Sequence, residues 1–439
     1  MSRLAPLLLS SLLIVARVPA AEAQQDGGLP RRPYFGAQVG PVPAPQDSAH
    51  PGIQVIRVLP GSPASVALTQ GDVILRLNQQ PVTGVPQFLA LLRRQRTGAP
   101  LPVELRRGDS LITRTLTLAE LPREQGEGYT VTYAAVGPAG ARHRVIITQP
   151  VRSALAPAVM LIGGIGCYSV DNPLAAPDAY LQILQGLTAR GYVTMRVEKS
   201  GIGDSEGDCP TQDFEQELAG YIAGARYLRA LPYVDSSRIY LFGHSIGGVA
   251  DPLVAARVPV RGVIAMASVV QPWFDYELEN TRRQLTLGGA NGPELERAVE
   301  TKRACMQRLL LEREDRARIL ADRPECAGYM QYPASDRYVQ QVAALDLRKA
   351  WAAVDTRVLA ISPAADFISG WHDHEEIAAI VNQAHPGRAT AVSLPETDHY
   401  FQRVPDQAAS FALVGQGVTS QSFNPAVIAL LGDWLSRQG

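Results

Sequence analysis

Lysine is scarce in this chain of 439 residues: Lys199, Lys302 and Lys349 are the only three, and almost all positive charge is arginine. Arginine and acidic residues are interspersed, and the formal net charge is -1. No one-signed field exists to draw in a polyanion, which excludes nucleic acid as a partner class. Long apolar runs are lacking too. The N-terminal stretch Leu4 to Ala16 falls short of the roughly 18 to 20 residues a spanning helix needs, so no transmembrane anchor is expected after processing. Gly163-Gly164-Ile165-Gly166 is not followed by the Lys-Ser/Thr of a nucleotide P-loop. His372 and His374 imitate a metal pair, yet no third ligand pattern accompanies them, and neither metal nor organic cofactor is expected.

Hydrophobic residues make up 46% and charged residues 19%, the balance of an ordinary globular protein, and the length calls for at least two domains. Arg3, the apolar stretch and Ala21-Glu22-Ala23 together predict a signal peptide over residues 1–23 and an exported, periplasmic or secreted, protein. An oxidising compartment favours pairing of the four cysteines. Of three connectivities, Cys167 with Cys209 and Cys305 with Cys326 is preferred: the first pair lies in loops after two neighbouring strands, the second closes a short helical segment.

From Gly52 an alternating strand, the turn Pro60-Gly61-Ser62-Pro63, the turn Gly71-Asp72 and a second strand form a compact β-rich pattern. A helix is predicted over Pro86 to Arg96 and strands over Leu101 to Arg106 and Leu111 to Leu118. Residues 32–121 resemble the PDZ domains of bacterial HtrA-type proteases, and Tyr34-Phe35-Gly36-Ala37 resembles that family's carboxylate-binding loop. The resemblance implies that Phe35, Gly36 and Ala37 offer N–H groups to a peptide C-terminus, while the adjacent strand edge accepts the peptide as an added strand. Ser65-Val66-Ala67-Leu68-Thr69 is one residue shorter than the usual segment. The plainer alternative is a module that only packs against the rest of the chain.

After a charged, Gly-containing linker at 122–128, strands and helices alternate to the end of the chain, which predicts a mostly parallel α/β sheet. Arg238-Ile239-Tyr240-Leu241-Phe242 reads as a strand that runs into Gly243-His244-Ser245-Ile246-Gly247-Gly248. Serine at a sharp strand-to-helix turn, with glycines two residues either side, is the pattern of a nucleophile elbow. Residues 129–439 resemble the α/β-hydrolase superfamily, and the Gly-x-Gly-x-Ser-Glu-Gly stretch at Gly201 to Gly207 resembles its EstD-like carboxylesterases, with secreted serine peptidases as cousins. Lys199-Ser200 departs from the Arg-Gly usual in many members.

A serine hydroxyl needs a base to take its proton, and the base needs an orienting acid. In this fold the order is serine, acid, histidine. Asp366 follows the strand Arg357 to Ile361, and His399 follows the strand Ala389 to Leu394, so both stand where such sheets gather their sites. Ser245, Asp366 and His399 are the expected triad. Asp275 and Asp398 are the competing acids. His244 adjoins the serine but is expected to pack against the sheet, and His50, His143 and His385 read as surface.

The oxyanion of the tetrahedral intermediate needs two N–H donors. Ile246 is the first and Ile165 the second, with Gly164 and Gly166 as alternatives. Alternation stops over 271–349, which predicts a helical lid insertion over the serine; Pro272-Trp273-Phe274 and Tyr329 to Tyr332 offer aromatic surface there, for substrate or for lid packing. The expected function is serine-dependent cleavage of a small-molecule carboxylic ester. The rivals are a peptidase of the same design, for which no amine-binding acidic cluster is legible, and a PDZ peptide-binding protein with an inert hydrolase domain.

Overall fold

The computed structural model describes residues 28–42, 52–151, 155–420 and 422–438. The expected signal peptide at 1–23 lies outside the described residues.

Strands β1 (Ala37–Pro41), β2 (Ile53–Val58), β3 (Val73–Leu77), β4 (Pro100–Arg107) and β5 (Ser110–Thr117) form an antiparallel sheet in chain order, covered by helix α1 (Val85–Arg93). Burying one face of each strand builds a small core: Ile53, Val55, Ile74, Leu77, Val103 and Leu105 are fully enclosed and Phe88 of α1 closes it. The helix stops three residues short of the predicted Arg96. β1 is an edge strand, its outer side unpaired among the described residues.

The larger sheet has eight strands. β6 (Tyr129–Val136), β7 (His143–Pro150), β8 (Ala156–Ile162), β9 (Val193–Val197), β10 (Val234–His244), β11 (Gly262–Met266), β12 (Arg357–Pro363) and β13 (Ala389–Leu394) lie in the order β13-β12-β11-β10-β8-β9-β7-β6. The pairs from β9 through to β13 are parallel, and β6 and β7 add antiparallel strands at one edge. Every residue of β9 and β11 is buried, as strands sandwiched between two helical layers must be. Helices α2 (Ala179–Ala189) and, at the C-terminus, Ala426–Ser436 pack on one face; α3 (Phe214–Ala230) and α4 (Ile246–Ala255) pack on the other. A capping box fixes the start of α3: Asp213 accepts from the Gln216 N–H while the Gln216 side chain accepts from the Asp213 N–H.

Between β11 and β12 the chain leaves the sheet. The insertion carries α5 (Trp273–Leu287), α6 (Gly292–Met306) and shorter helices to Ala352, and packs on the α4 face. Disulfides join Cys167 to Cys209 and Cys305 to Cys326. The second lies within the insertion, tying the end of α6 to the turn Pro324–Tyr329.

The two units meet through buried charge. Arg31, just ahead of the first unit, reaches Asp171 at 2.7 Å and Asp204 at 2.6 Å, and its guanidinium stands 4.3 Å from the centre of the Tyr133 ring. Arg144 of β7 reaches Asp204 at 2.9 Å, and the Arg32 N–H donates to the same carboxylate at 2.7 Å. The expected linker is part of this joint, since Glu124 pairs with Arg196 of β9 and its N–H donates to the Tyr133 hydroxyl. The Gly201 to Gly207 stretch serves it too. Ser205 Oγ accepts from the Arg144 N–H and Glu206 pairs with Arg142.

Removing one partner of a buried, hydrogen-bonded ion cluster leaves uncompensated charge and costs about 3 kcal/mol. Arg31→Met is therefore expected to lower the urea midpoint and to expose the 122–128 segment to protease, measured by denaturation and limited proteolysis. An unchanged midpoint and cleavage pattern would show that this cluster does not fasten the units.

Candidate active site

Ser245 sits between the end of β10 and the start of α4 with φ 58° and ψ -123°, a left-handed conformation that a side-chain-bearing residue rarely adopts. Its glycine neighbours permit the turn by close approach. A Cβ on Gly247 would stand 2.0 Å from the Ile162 carbonyl oxygen, and one on Gly243 would stand 2.2 Å from Asp251 Oδ2 and 2.5 Å from the Gly247 carbonyl oxygen. The Ser245 N–H donates to the Met266 carbonyl at 2.9 Å, which locks the turn onto β11.

Asp366 follows β12 and His399 follows β13. His399 Nδ1 donates to Asp366 Oδ2 at 2.8 Å, leaving Nε2 as the basic ring nitrogen. The Asp366 carboxylate also accepts from the Ile368 and Ser369 N–H groups and from the Ser369 hydroxyl. Burial raises the pKa of Asp366, but the neighbouring His399 and these donors outweigh it and hold the carboxyl below its usual range. Ser245, Ile246, His399, Gly164 and Ile165 line one cavity of about 900 Å³.

The competing acids go elsewhere. Asp275 is exposed in the first turn of α5. Asp398 is buried and accepts from the Tyr400 and Gln402 N–H groups, the Gln402 side chain and the Ser410 hydroxyl, so it shapes the loop that carries His399. His374 uses both ring nitrogens, Nε2 accepting from the Ser268 N–H and Nδ1 donating to the Gly370 carbonyl. His143, read as surface, is buried in β7 with Nδ1 bonded to the Glu198 carbonyl. Trp273, Tyr329 and Tyr332 line the cavity, whereas Phe274 packs into the insertion's core.

His244 does more than pack against the sheet. Its Nε2 donates to the His399 carbonyl at 2.8 Å, so Nδ1 accepts from the Tyr180 hydroxyl at 2.6 Å. Tyr180 Oη in turn accepts from the Gly164 N–H at 2.9 Å. Burial and the nearby His399 push the His244 pKa down to about 3, which keeps it neutral. In the next peptide group, which also carries the Ile165 N–H, the Gly164 carbonyl accepts from the Tyr168 hydroxyl at 2.9 Å and from Lys199 Nζ at 2.5 Å. Lys199 pairs with Glu217 of α3 at 3.3 Å. The Gly164 N–H is therefore committed, which removes Gly164 from the alternative oxyanion donors, while Ile165 stands half-buried in the cavity wall.

Tyr180 and Lys199 were beyond the motif reading. Tyr180 lies in an unremarkable helix start, and Lys199 stood out as one of three lysines and as a departure from the usual Arg-Gly, without a sign of its partner. In the first unit Phe35 is buried edge-to-face on Phe88 at 5.2 Å, and Gly36 has φ +83° with Ser62 filling the space a Cβ would need. Ala37 opens the edge strand β1.

An alpha/beta hydrolase family model matches residues 159–411, more than half of the chain. The chain belongs to the alpha/beta hydrolase family. A PDZ domain model matches residues 30–106. Esterase EstD of Thermotoga maritima is 28% identical over 149 residues, and that match spans 34% of this chain and 35% of the relative. Among solved structures, Est1E from Butyrivibrio proteoclasticus is similar with a TM-score of 0.43 and 14% identity over 71% of this chain and 99% of its own. A putative dipeptidyl aminopeptidase IV from Bacteroides ovatus has a TM-score of 0.41 and 14% identity over 73% of this chain and 40% of its own.

Tyr180→Phe would strand the Gly164 N–H and His244 Nδ1. Each unsatisfied buried group costs about 1–3 kcal/mol. A loss of about 3 kcal/mol is expected in urea unfolding, and an unchanged midpoint would mean that the relay does not hold these loops.

Proposed function

We propose that this chain is an exported serine esterase that works through an acyl-enzyme. The observation that carries this reading is the 2.8 Å Asp366–His399 contact at the cavity that Ser245 also lines. Ser245 Oγ attacks the ester carbonyl as His399 Nε2 takes its proton, and Asp366 holds the imidazole tautomer and stabilises the imidazolium. The amides of Ile246 and Ile165 receive the oxyanion; Ile246 opens α4, where the helix dipole adds positive potential. The imidazolium then gives its proton to the departing alcohol. Water, deprotonated by the same nitrogen, attacks the acyl carbonyl, and the acid leaves as Ser245 regains its proton.

The name of the Thermotoga relative favours ester over amide substrates. The two disulfides suit an oxidising compartment and so support export. For the PDZ unit the reading is capture of a peptide C-terminus beside Phe35, Gly36 and Ala37, the peptide adding to the free edge of β1.

A fluorophosphonate probe is expected to label the mature protein and not Ser245→Ala. Asp366→Asn is expected to lower 4-nitrophenyl acetate turnover by about four orders of magnitude, with Asp275→Asn near the native rate. Labelling that survives Ser245→Ala would remove the nucleophile, faster turnover of aminoacyl amides than of esters would favour a peptidase, and a loss confined to Asp275→Asn would reassign the acid.

A further inference from the structure

The wall that α5 turns to the cavity is mixed: beside Trp273, Tyr276 and Leu285 it carries a run of polar residues. Glu277, Asn280, Thr281 and Gln284 of α5 all line the 900 Å³ cavity, and their spacing of i, i+3, i+4, i+7 puts them in one stripe of the helix. A stripe turned toward a protein interior is ordinarily apolar. At its first position, Glu277 pairs with Lys302 of α6 at 2.7 Å, with both side chains below a tenth exposed. Lys302 Nζ also donates to the Tyr329 carbonyl at 2.9 Å. Further along, the Gln284 amide donates to Asn280 Oδ1 at 2.8 Å. The Thr281 hydroxyl has no partner among the described residues.

Stability does not account for this wall. A buried ion pair gives up so much hydration that apolar replacements of similar volume are commonly as stable or more so. Its place at the cavity gives it another use. The two charges neutralise each other, so the wall does not select a charged substrate. What it presents are strong acceptors on Glu277 and donors on Lys302, followed by neutral amides and a hydroxyl, which are partners for several hydroxyl groups. An alkyl or aryl group lodged against Asn280, Thr281 and Gln284, which are only half-buried, would strip their water and replace none of its hydrogen bonds.

Resting on the esterase reading, we infer that the substrate carries a neutral polyhydroxylated group, as in an ester of a sugar or polyol or of a sugar acid, and that Glu277, Lys302 and the Asn280–Gln284 stripe recognise it. The ester carbon meets Ser245 while the hydroxylated part spans the cavity to α5.

The test uses matched pairs that differ in hydroxyl groups: methyl 6-O-acetylglucoside against cyclohexylmethyl acetate, and methyl gluconate against methyl hexanoate. In at least one pair the native protein is expected to favour the hydroxylated ester by about tenfold or more in kcat/KM, since a site built to bond a hydroxyl rejects the analogue lacking it. The double change Glu277→Leu with Lys302→Met keeps an uncharged, packed pair and should bring that ratio to about one or below. Asn280→Leu, which leaves the ion pair intact, should lower the ratio too, and melting curves will confirm that both variants are folded. Equal or reversed preference in both pairs overturns the inference, as does a ratio that folded variants leave unchanged. If the native protein also fails to hydrolyse 4-nitrophenyl acetate and escapes the fluorophosphonate, the esterase reading fails as well, and the two failures are told apart.

Discussion

A serine held at φ 58° is the constraint on which the catalytic half of this molecule depends. Such a conformation costs on the order of 1–3 kcal/mol and persists only where its surroundings over-determine it. Here α4 is drawn so tightly against β8 that the Cα of Gly247 leaves no room for a methyl group beside the Ile162 carbonyl. Ile162 ends the strand that runs into Gly163-Gly164-Ile165. One close contact therefore sets both the exposure of the serine and its distance from the loop that faces it. The bond from the Ser245 N–H to Met266 extends the same constraint to β11; β12 beside it and β13 beyond lead to Asp366 and His399.

The facing loop is itself held at two successive peptide groups, those on either side of the Gly164 Cα. Gly164 gives its N–H to Tyr180 and receives Tyr168 and Lys199 at its carbonyl, and through Tyr180 and His244 the restraint continues to the backbone of His399. Loops that leave β8 and β13 are thus registered against each other without borrowing any group the reaction needs. A neutral His244 suits this work. As an imidazolium it would have no lone pair for Tyr180 and would place a second positive charge beside His399. Donors fixed before charge develops are the most effective kind, because no reorganisation remains for the reaction step.

How much of this could be read from the sequence follows from the range over which each interaction acts. The elbow is written in consecutive residues because its cause is steric and local. Asp366 and His399 were legible at one remove, since fold order and strand ends constrain where an acid and a base can stand. The disulfide partners were legible through neighbouring loops. By contrast, Tyr180 meets His244 across 64 positions and Lys199 meets Gly164 across 35, and no local pattern records such contacts. Arg31 was hidden for the same reason: its partners Asp171 and Asp204 lie 140 and 173 positions away. His143 was misread as surface because a histidine near a strand end gives no sign of which helix will cover it; α3 does, with Gly220 against the ring. The polar stripe on α5 went unread, because a helix with polar positions at that spacing looks solvent-exposed until the cavity beneath it is known.

The joint between the units gives the PDZ module a fixed address. Asp171, which receives Arg31, stands in the segment after β8 that begins with the Gly164 loop, four positions beyond Cys167; Cys209, its disulfide partner, closes the loop that holds Asp204. The residues just before the PDZ edge strand are thereby fastened to the segment that follows the Gly164 loop and to the segment that the disulfide ties to it. Buried charge has a particular consequence at such a joint: with its partners desolvated, the cluster tolerates little sliding, because a displaced Arg31 takes a buried cation from both Asp171 and Asp204. The insertion, tied by its own disulfide, lines another part of the cavity that Gly164 and Ser245 line.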